Sequence, residues 1–211
     1  MKSFIWIVGI TIALIALMFW GVWGSTGPET DFEIGVVHPQ DNIKGNAGSA
    51  LVVTEYSDFQ CPACRSYYPM MRELSTEFKD KGVVFIYRHF PLTNIHVNAE
   101  PAAWAAEAAG KQGKFWEMHD LLFEKQNEWA NESDIMPLFE SYASLLGLSV
   151  DQFKSDILSS EVKNFVSSQK THSIKAGLMG TPSFFVNGVQ IQNPSSTESF
   201  RAIINNALKN K

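Results

Sequence analysis

The sequence predicts an α/β domain with a helical insertion, preceded by an N-terminal transmembrane helix. Two apolar, β-branched runs, Ala50–Tyr56 and Val83–Tyr87, flank a segment of helical periodicity. A long helical pattern then separates them from a short hairpin and a last amphipathic helix. Residues 4–23 contain no charged side chain.

Those 20 residues would make a helix about 30 Å long, enough to cross a bilayer. A cleavable secretory core usually runs about 7–15 residues, and Val22-Trp-Gly24 is a poor cleavage site. Trp6, Trp20 and Trp23 lie near the ends, where interfacial aromatics are favoured. A buried core helix is the alternative, but such helices are seldom apolar on every face over this length. Lys2 and the amino terminus are positive, while Glu29, Asp31 and Glu33 follow the segment. The positive-inside bias therefore leaves the rest of the chain outside the cytoplasm, where disulfides persist. Residues 24–49, rich in Gly, Pro, Asn and Asp, read as a tether, with Ile34–Val37 as a candidate edge strand.

The chain has 211 residues, 45% of them apolar, and a formal charge of −5. That suffices for one well-buried domain plus extensions. With no basic run or basic patch interleaved with aromatics, nucleic acid is excluded as a partner.

Ala50–Tyr56 reads as a buried strand, and the only two cysteines, Cys61 and Cys64, follow it. Pro62 suits the first helical position, where its missing N–H costs nothing. Tyr67, Met71, Leu74 and Phe78 recur at helical spacing, Gly82 offers a stop, and Pro69 should kink the helix. Strand, helix and strand in that order imply a parallel pair with a right-handed crossover.

From about residue 96 to 177 the pattern is helical. Ala99, Ala102, Ala103, Ala106 and Ala109 form a small-residue face, and Phe115, Trp116, Leu122 and Phe123 add bulk to the next helix. Gly147 ends one helix, and Ser149-Val-Asp-Gln152 is a capping-box pattern opening another. His119 and Trp104 read as packing residues. Gly180-Thr-Pro182 introduces Ser183–Val186, Asn187-Gly188 is a two-residue hairpin turn, and Val189–Ile191 returns. A cis bond before Pro182, at the head of a strand, would be a functional feature. Thr197–Leu208 closes the chain, with Phe200, Ile203, Ile204 and Leu208 facing inward.

The chemistry concentrates in Cys61-Pro-Ala-Cys64. So short a loop suits an easily opened disulfide better than a structural bridge. At a strand-to-helix turn, unpaired N–H groups and the positive end of the helix dipole favour an anion. Cys61 should therefore have a lowered thiol pKa, and its disulfide should be readily reduced. Cys64, one turn inward, is expected to be the buried resolving thiol. A metal site would need further ligands, and His38, His89, His96, His119 and His172 show no ligand spacing. Inert core cysteines are the other alternative, oddly placed at a prolyl turn.

Four segments carry a resemblance: Glu55-Tyr-Ser-Asp-Phe-Gln-Cys-Pro-Ala-Cys-Arg65, Tyr87-Arg-His-Phe-Pro-Leu92, Gln112-Gly-Lys-Phe-Trp-Glu-Met-His-Asp120 and Gly180-Thr-Pro-Ser-Phe-Phe-Val-Asn-Gly188. Together they resemble the DsbA-family thiol-disulfide oxidoreductases, most closely the BdbD-like proteins, over about residues 40–211. The resemblance implies a thioredoxin fold over residues 50–211, with a helical domain inserted at about 96–177. It makes Cys61 the attacking and leaving sulfur, Cys64 the resolving one and Pro182 the facing cis-proline. Thr181 would offer its backbone to an extended substrate, beside Pro62 and Ala63. Glu55 matches a buried acid that assists proton transfer to or from Cys64, the alternative being a solvent-facing residue at the strand end. One departure matters: the strong oxidants of the family carry Pro-His between the cysteines, and Ala63 cannot stabilise the thiolate as that histidine does.

The implied activity is that of a membrane-anchored dithiol oxidase, in the periplasm or on the outer face of the bacterial cytoplasmic membrane. Its partners would be thiol-containing exported proteins and a DsbB-like membrane quinone reductase. It would act as a monomer, without organic cofactor or metal. A tethered reductase or isomerase is the first competitor, although the tether leaves no room for an isomerase's dimerisation domain. A non-catalytic thiol or metal-binding module is the second.

Overall fold

In the computed structural model, which describes residues 32–210, five strands build one mixed sheet. They are β1 (Asn42–Lys44), β2 (Leu51–Ser57), β3 (Val83–His89), β4 (Ser183–Val186) and β5 (Val189–Ile191), laid side by side in the order β1-β3-β2-β4-β5. β2 and β3 are parallel, as a strand-helix-strand unit requires, and the other pairs are antiparallel. Helix α1 (Pro62–Phe78) joins β2 to β3 and runs on through Pro69.

Period-two alternation decides what each face of the sheet buries. Leu51, Val53, Val83, Phe85, Phe184 and Val186 share one face, against Met71, Leu74 and Phe78 of α1. Phe200 and Ile204 of the last helix, α8 (Thr197–Lys209), pack there too. Burial of side chains this size contributes roughly 1.5–3 kcal/mol each. The opposite face buries Tyr56 and Phe185 with Phe90 and Leu178.

Between β3 and β4 lie six helices: α2 (Ala99–Gly110), α3 (Phe115–Glu124), α4 (Gln126–Trp129), α5 (Met136–Leu145), α6 (Val150–Leu158) and α7 (Ser160–Lys175). This is the expected helical insertion. Its centre is α2, whose alanines at 99, 102, 103, 105, 106, 108 and 109 are all buried. Side chains this small let α3, α6 and α7 approach on several sides. Asn187 and Gly188 close the β4–β5 hairpin, both at positive φ (48° and 80°), as a two-residue turn demands.

Three expectations need correction. Ile34–Val37 forms a turn, not a strand, and the edge strand is Asn42–Lys44, antiparallel to β3. Residues 32–49, read as tether, belong to the folded domain. Arg88, fully buried, reaches across to them: Nε and Nη2 pair with Asp41 at 2.9 and 2.8 Å. Its remaining N–H groups donate to the carbonyls of Phe32, Glu33 and Val36 and to the Tyr56 hydroxyl. A Gly- and Pro-rich composition predicted a loop correctly, but composition does not register a loop pinned by one guanidinium. The capping box is the third. Ser149 accepts from Gln152 N, but Ser149 N donates to Gln112 and the Gln152 side chain to Asp156, so the box is half formed. A reciprocal box stands instead at Ser196 and Ser199, opening α8.

The expected membrane-spanning segment, residues 4–23, lies outside the described residues. Among those described, no helix is long and apolar enough to cross a membrane.

Candidate active site

The site forms where β2 ends and α1 begins. Asp58, buried, fixes the connecting turn: its carboxylate accepts from Gln60 N, Leu92 N and His96 Nδ1 at 2.7–2.9 Å. Its carbonyl accepts from Cys61 N. The inserted helices hold the same turn from the other side. Gln126 Nε2 donates to the carbonyls of Phe59 (2.6 Å) and Cys61 (3.1 Å), and Gln60 Nε2 donates to Ala130 O. These buried amides satisfy carbonyls that a sharp turn would otherwise leave bare.

Cys61 caps α1 with an extended backbone (φ −69°, ψ 122°), and Pro62 takes the first helical position. Pro62 and Ala63 are exposed at the helix mouth, whereas Cys61 is 7% exposed and Cys64 not at all. Both cysteines are free thiols. The Thr181–Pro182 bond is cis, and the Thr181 carbonyl oxygen lies 3.6 Å from Cys61 Sγ. Pro182 is buried at the head of β4, with its own carbonyl accepting from Asn193 Nδ2 at 2.8 Å. A motif 120 residues downstream thus meets the cysteines because β4 pairs with β2, Ser183 opposite Tyr56.

Electrostatics separate the two sulfurs. The Cys61 thiol is pulled down to about 5, chiefly by a hydrogen bond from the Cys64 thiol. The N–H groups of Cys64 and Ala63 in the first helical turn add to it, against the opposing effect of burial. Burial pushes Cys64 well above the ordinary thiol range, and the Cys61 anion pushes it further. At neutral pH the outer sulfur is a thiolate and the inner one holds the proton.

Glu55 lies on the face of β2 that carries Val53 and Ser57, beneath α1, and is 5% exposed. Burial raises its carboxyl to about 7, opposed by Ser57 and by the Lys44 ammonium. The buried hydroxyls of Ser57 and Tyr87 have no hydrogen-bond partner among the described residues. Ser57 bears on the ionisation of Glu55 and Cys64, while burial, and after it Glu55 and Cys64, hold the Tyr87 hydroxyl protonated. The structure thus brings Cys61, Cys64, Pro182, Thr181, Pro62 and Ala63 to one mouth, with Glu55 below.

Sequence reasoning missed Asp58, Ser57 and Gln126. Ser57 carried a usable signal, since it sits two residues after Glu55 on the same strand face. Gln126 carried none: its role depends on where an inserted helix docks. Among the described residues no group of His, Cys, Asp and Glu side chains is arranged to hold a metal ion.

Comparison with known proteins agrees with this geometry. The thioredoxin-like oxidoreductase of Silicibacter pomeroyi is 26% identical, covers 82% of this chain and 94% of its own, and superposes with a TM-score of 0.67. BdbD of Bacillus subtilis (24% identical, 80% and 93% covered, TM-score 0.71) and α-DsbA1 of Wolbachia pipientis (22%, 83% and 94%, TM-score 0.74) share the fold. In sequence, the chain is 36% identical over 178 residues to the Na(+)/H(+) antiporter NhaA 1 of Salinispora arenicola, covering 84% of this chain and 26% of the antiporter. The chain therefore spans about a quarter of the length of the curated relatives it matches. The thioredoxin family model matches residues 38–206. The chain belongs to the thioredoxin family, and its fold is that of the DsbA-type thiol-disulfide oxidoreductases.

Proposed function

We propose that this chain is an extracytoplasmic protein thiol-disulfide oxidoreductase, anchored by residues 4–23, that oxidises dithiols in newly exported proteins. The observation that carries this reading is the split between its two thiols. Cys61 is held as an anion beside the Thr181 carbonyl, while Cys64 is buried and protonated. Likeness to the Silicibacter oxidoreductase supports the same reaction class. The antiporters' ion transport is not carried over, since the chain spans only about a quarter of their length.

In the oxidised form Cys61 and Cys64 share a disulfide. A substrate thiolate attacks Cys61 Sγ, the S–S bond breaks, and Cys64 leaves with the electron pair. Cys64 then takes a proton, which Glu55 supplies, because a carboxyl near 7 can give or accept one at neutral pH. The second substrate thiolate attacks the substrate sulfur of the mixed disulfide, and Cys61 departs as the stabilised thiolate. Two substrate thiols have become one disulfide, and the enzyme holds two electrons. A DsbB-like membrane quinone reductase would take these, so no organic cofactor or metal is required of this chain. The exposed Pro62 and Ala63, with the Thr181 backbone, form the rim that an extended substrate segment would meet. The chain acts as a monomer.

A low Cys61 pKa supports the oxidase direction, because stabilising the reduced thiolate makes the disulfide a better oxidant. Turnover with a reduced, unfolded protein, set beside reduction of insulin, tests the direction. Cys61→Ser should abolish both, and Cys64→Ser should accumulate substrate-linked mixed disulfides. Faster insulin reduction than dithiol oxidation would replace the oxidase with a tethered reductase. Loss of neither activity in Cys61→Ser would remove the cysteine pair from the mechanism.

A further inference from the structure

Strand β1 does more than extend the sheet. Its register sets Lys44 opposite Phe85 and Asn42 opposite Tyr87. Directly opposed residues share a face, so Lys44 lies on the side of the sheet that carries Phe85, Tyr87 and Glu55. The ammonium is seated there by α3. Lys44 Nζ stands 4.4 Å from the centre of the Trp116 ring, and Trp116 Nε1 donates to the Ile43 carbonyl at 3.0 Å. Lys44, Glu55, Arg72, Tyr87, Trp116 and His119 line a single cavity of about 20 Å³. That volume has room for about one water molecule. Tyr87 lines it too, and its buried hydroxyl has no hydrogen-bond partner among the described residues.

We propose that Lys44, projected from the edge strand and held over Trp116, is a positioning residue that sets the ionisation of Glu55 across this cavity. The groups facing Glu55 support the choice. Arg72, on α1, is already paired with Glu124 at 2.9 Å and bonded to the Tyr68 hydroxyl. His119, on α3, is buried and thereby held neutral, bonded to Asp120 at 2.8 Å. Tyr87 on β3 and Cys64 on α1 are both kept protonated by burial. Ser57, beside Glu55 on β2, lowers the carboxyl more than Lys44 does, but carries no charge. That leaves the Lys44 ammonium as the cation opposing the burial of the carboxyl, shared in part with Asp120 and Glu117. A proton donor to Cys64 must be able to reload near neutral pH, and a carboxyl in an apolar pocket with no cation nearby would stay protonated.

This inference rests on the reading of Glu55 as the proton partner of Cys64, and the experiment separates the two. Lys44→Met keeps the aliphatic stem over Trp116 and removes the charge, while Lys44→Arg restores it. The Glu55 carboxyl midpoint is read directly in the full-length reduced protein, by carbon-13 NMR or carboxyl-region infrared, with Glu55→Gln as the assignment control. In Lys44→Met the midpoint should rise by about one unit. In Lys44→Arg it should stay within about a third of a unit of the native value. Should Lys44→Met not fold, Trp116→Phe loosens the ammonium's seat and should move the midpoint the same way by less. An unmoved midpoint in a folded charge-deleted or seat-loosened variant overturns the proposal. A midpoint that moves in a protein without thiol oxidation at any pH leaves this electrostatic link standing and sinks the functional reading instead.

Discussion

The low Cys61 pKa is assigned chiefly to one donor, so removing that donor gives the sharpest test. In Cys64→Ala the thiol that hydrogen-bonds the Cys61 anion is gone, while the N–H groups of residues 63 and 64 remain. A hydrogen bond to a charged group contributes about 1.5–3 kcal/mol, equivalent to about one to two pKa units. The Cys61 midpoint should therefore climb from about 5 to about 6–7, still below the ordinary 9.0. Cys64→Ser, which keeps a hydroxyl donor, should stay within about half a unit of the native value. The assay is thiolate absorbance near 240 nm as a function of pH, followed in the reduced protein. Alkylation rate alone is a poor substitute, because a more basic thiolate is also more nucleophilic, by about 0.4–0.5 log units per pKa unit. At pH 5.5 that gain nearly cancels the loss of thiolate if the midpoint reaches about 6, and offsets more than half of it if the midpoint reaches about 7. A midpoint that remains near 5 in Cys64→Ala would refute the assignment and hand the stabilisation to the helix mouth. A native midpoint of 8 to 9 would remove the basis for any special reactivity.

The Ala63 departure predicts a reduction potential more negative than the ≈ −120 mV of DsbA, between there and the ≈ −270 mV of thioredoxin. Ala63→His should raise it, measured by equilibration against glutathione. Arg88→Met leaves Asp41 buried without its partner and should cost about 3–5 kcal/mol in urea unfolding, part of it recovered in the double variant with Asp41→Asn. Glu55 contributes a cost rather than a gain. Its folded midpoint near 7 lies above the unfolded 4.5, so the penalty is absent below pH 4.5 and grows until about pH 7. Glu55→Gln should thus be more stabilising at pH 8 than at pH 4.5, by up to about 3 kcal/mol, and equal effects at both pH values would refute the raised carboxyl.

Strand, helix and hairpin were legible wherever a short-range rule decided them. Apolar, β-branched runs marked β2 and β3, Pro62 marked the start of α1, and Asn187-Gly188 marked the turn. Helical spacing likewise delivered the insertion. The misreadings share a physical cause. Asn42–Lys44 is three residues long and owes its pairing to β3, so no periodicity could announce it. The N-terminal segment from Phe32 is ordered by Arg88, a residue that in isolation reads as an ordinary strand charge. Of the site, Cys61, Cys64 and Pro182 stood out by residue type and order along the chain, and Glu55 entered through the family resemblance. Ser57, Asp58, Gln126 and Lys44 did not, because their importance comes from what tertiary packing sets beside them. His119 was read as packing, and its ring is indeed surrounded by those of Phe59, Tyr87, Phe115, Trp116 and Phe123. It also lines the Glu55 cavity, a second placement that helical spacing could not reveal.

The same burial that makes Cys64 a poor acid makes it useful only if a proton is supplied when it leaves. Solvent cannot do this freely, since Cys64 is fully buried beneath the first turn of α1. A donor must sit inside, and inside it faces the opposite difficulty, because an isolated buried carboxyl holds its proton too firmly to be reloaded and released within a cycle. One sheet face resolves both constraints: β2 carries Glu55 on the face that Ser57 shares, two residues before it, and the edge strand brings a cation to the cavity that Glu55 lines. On this account the N-terminal segment is part of the redox apparatus. A chain cut back to residue 50 would lose Lys44 and Asp41 together, and even if it folded, its Glu55 would titrate well above 7.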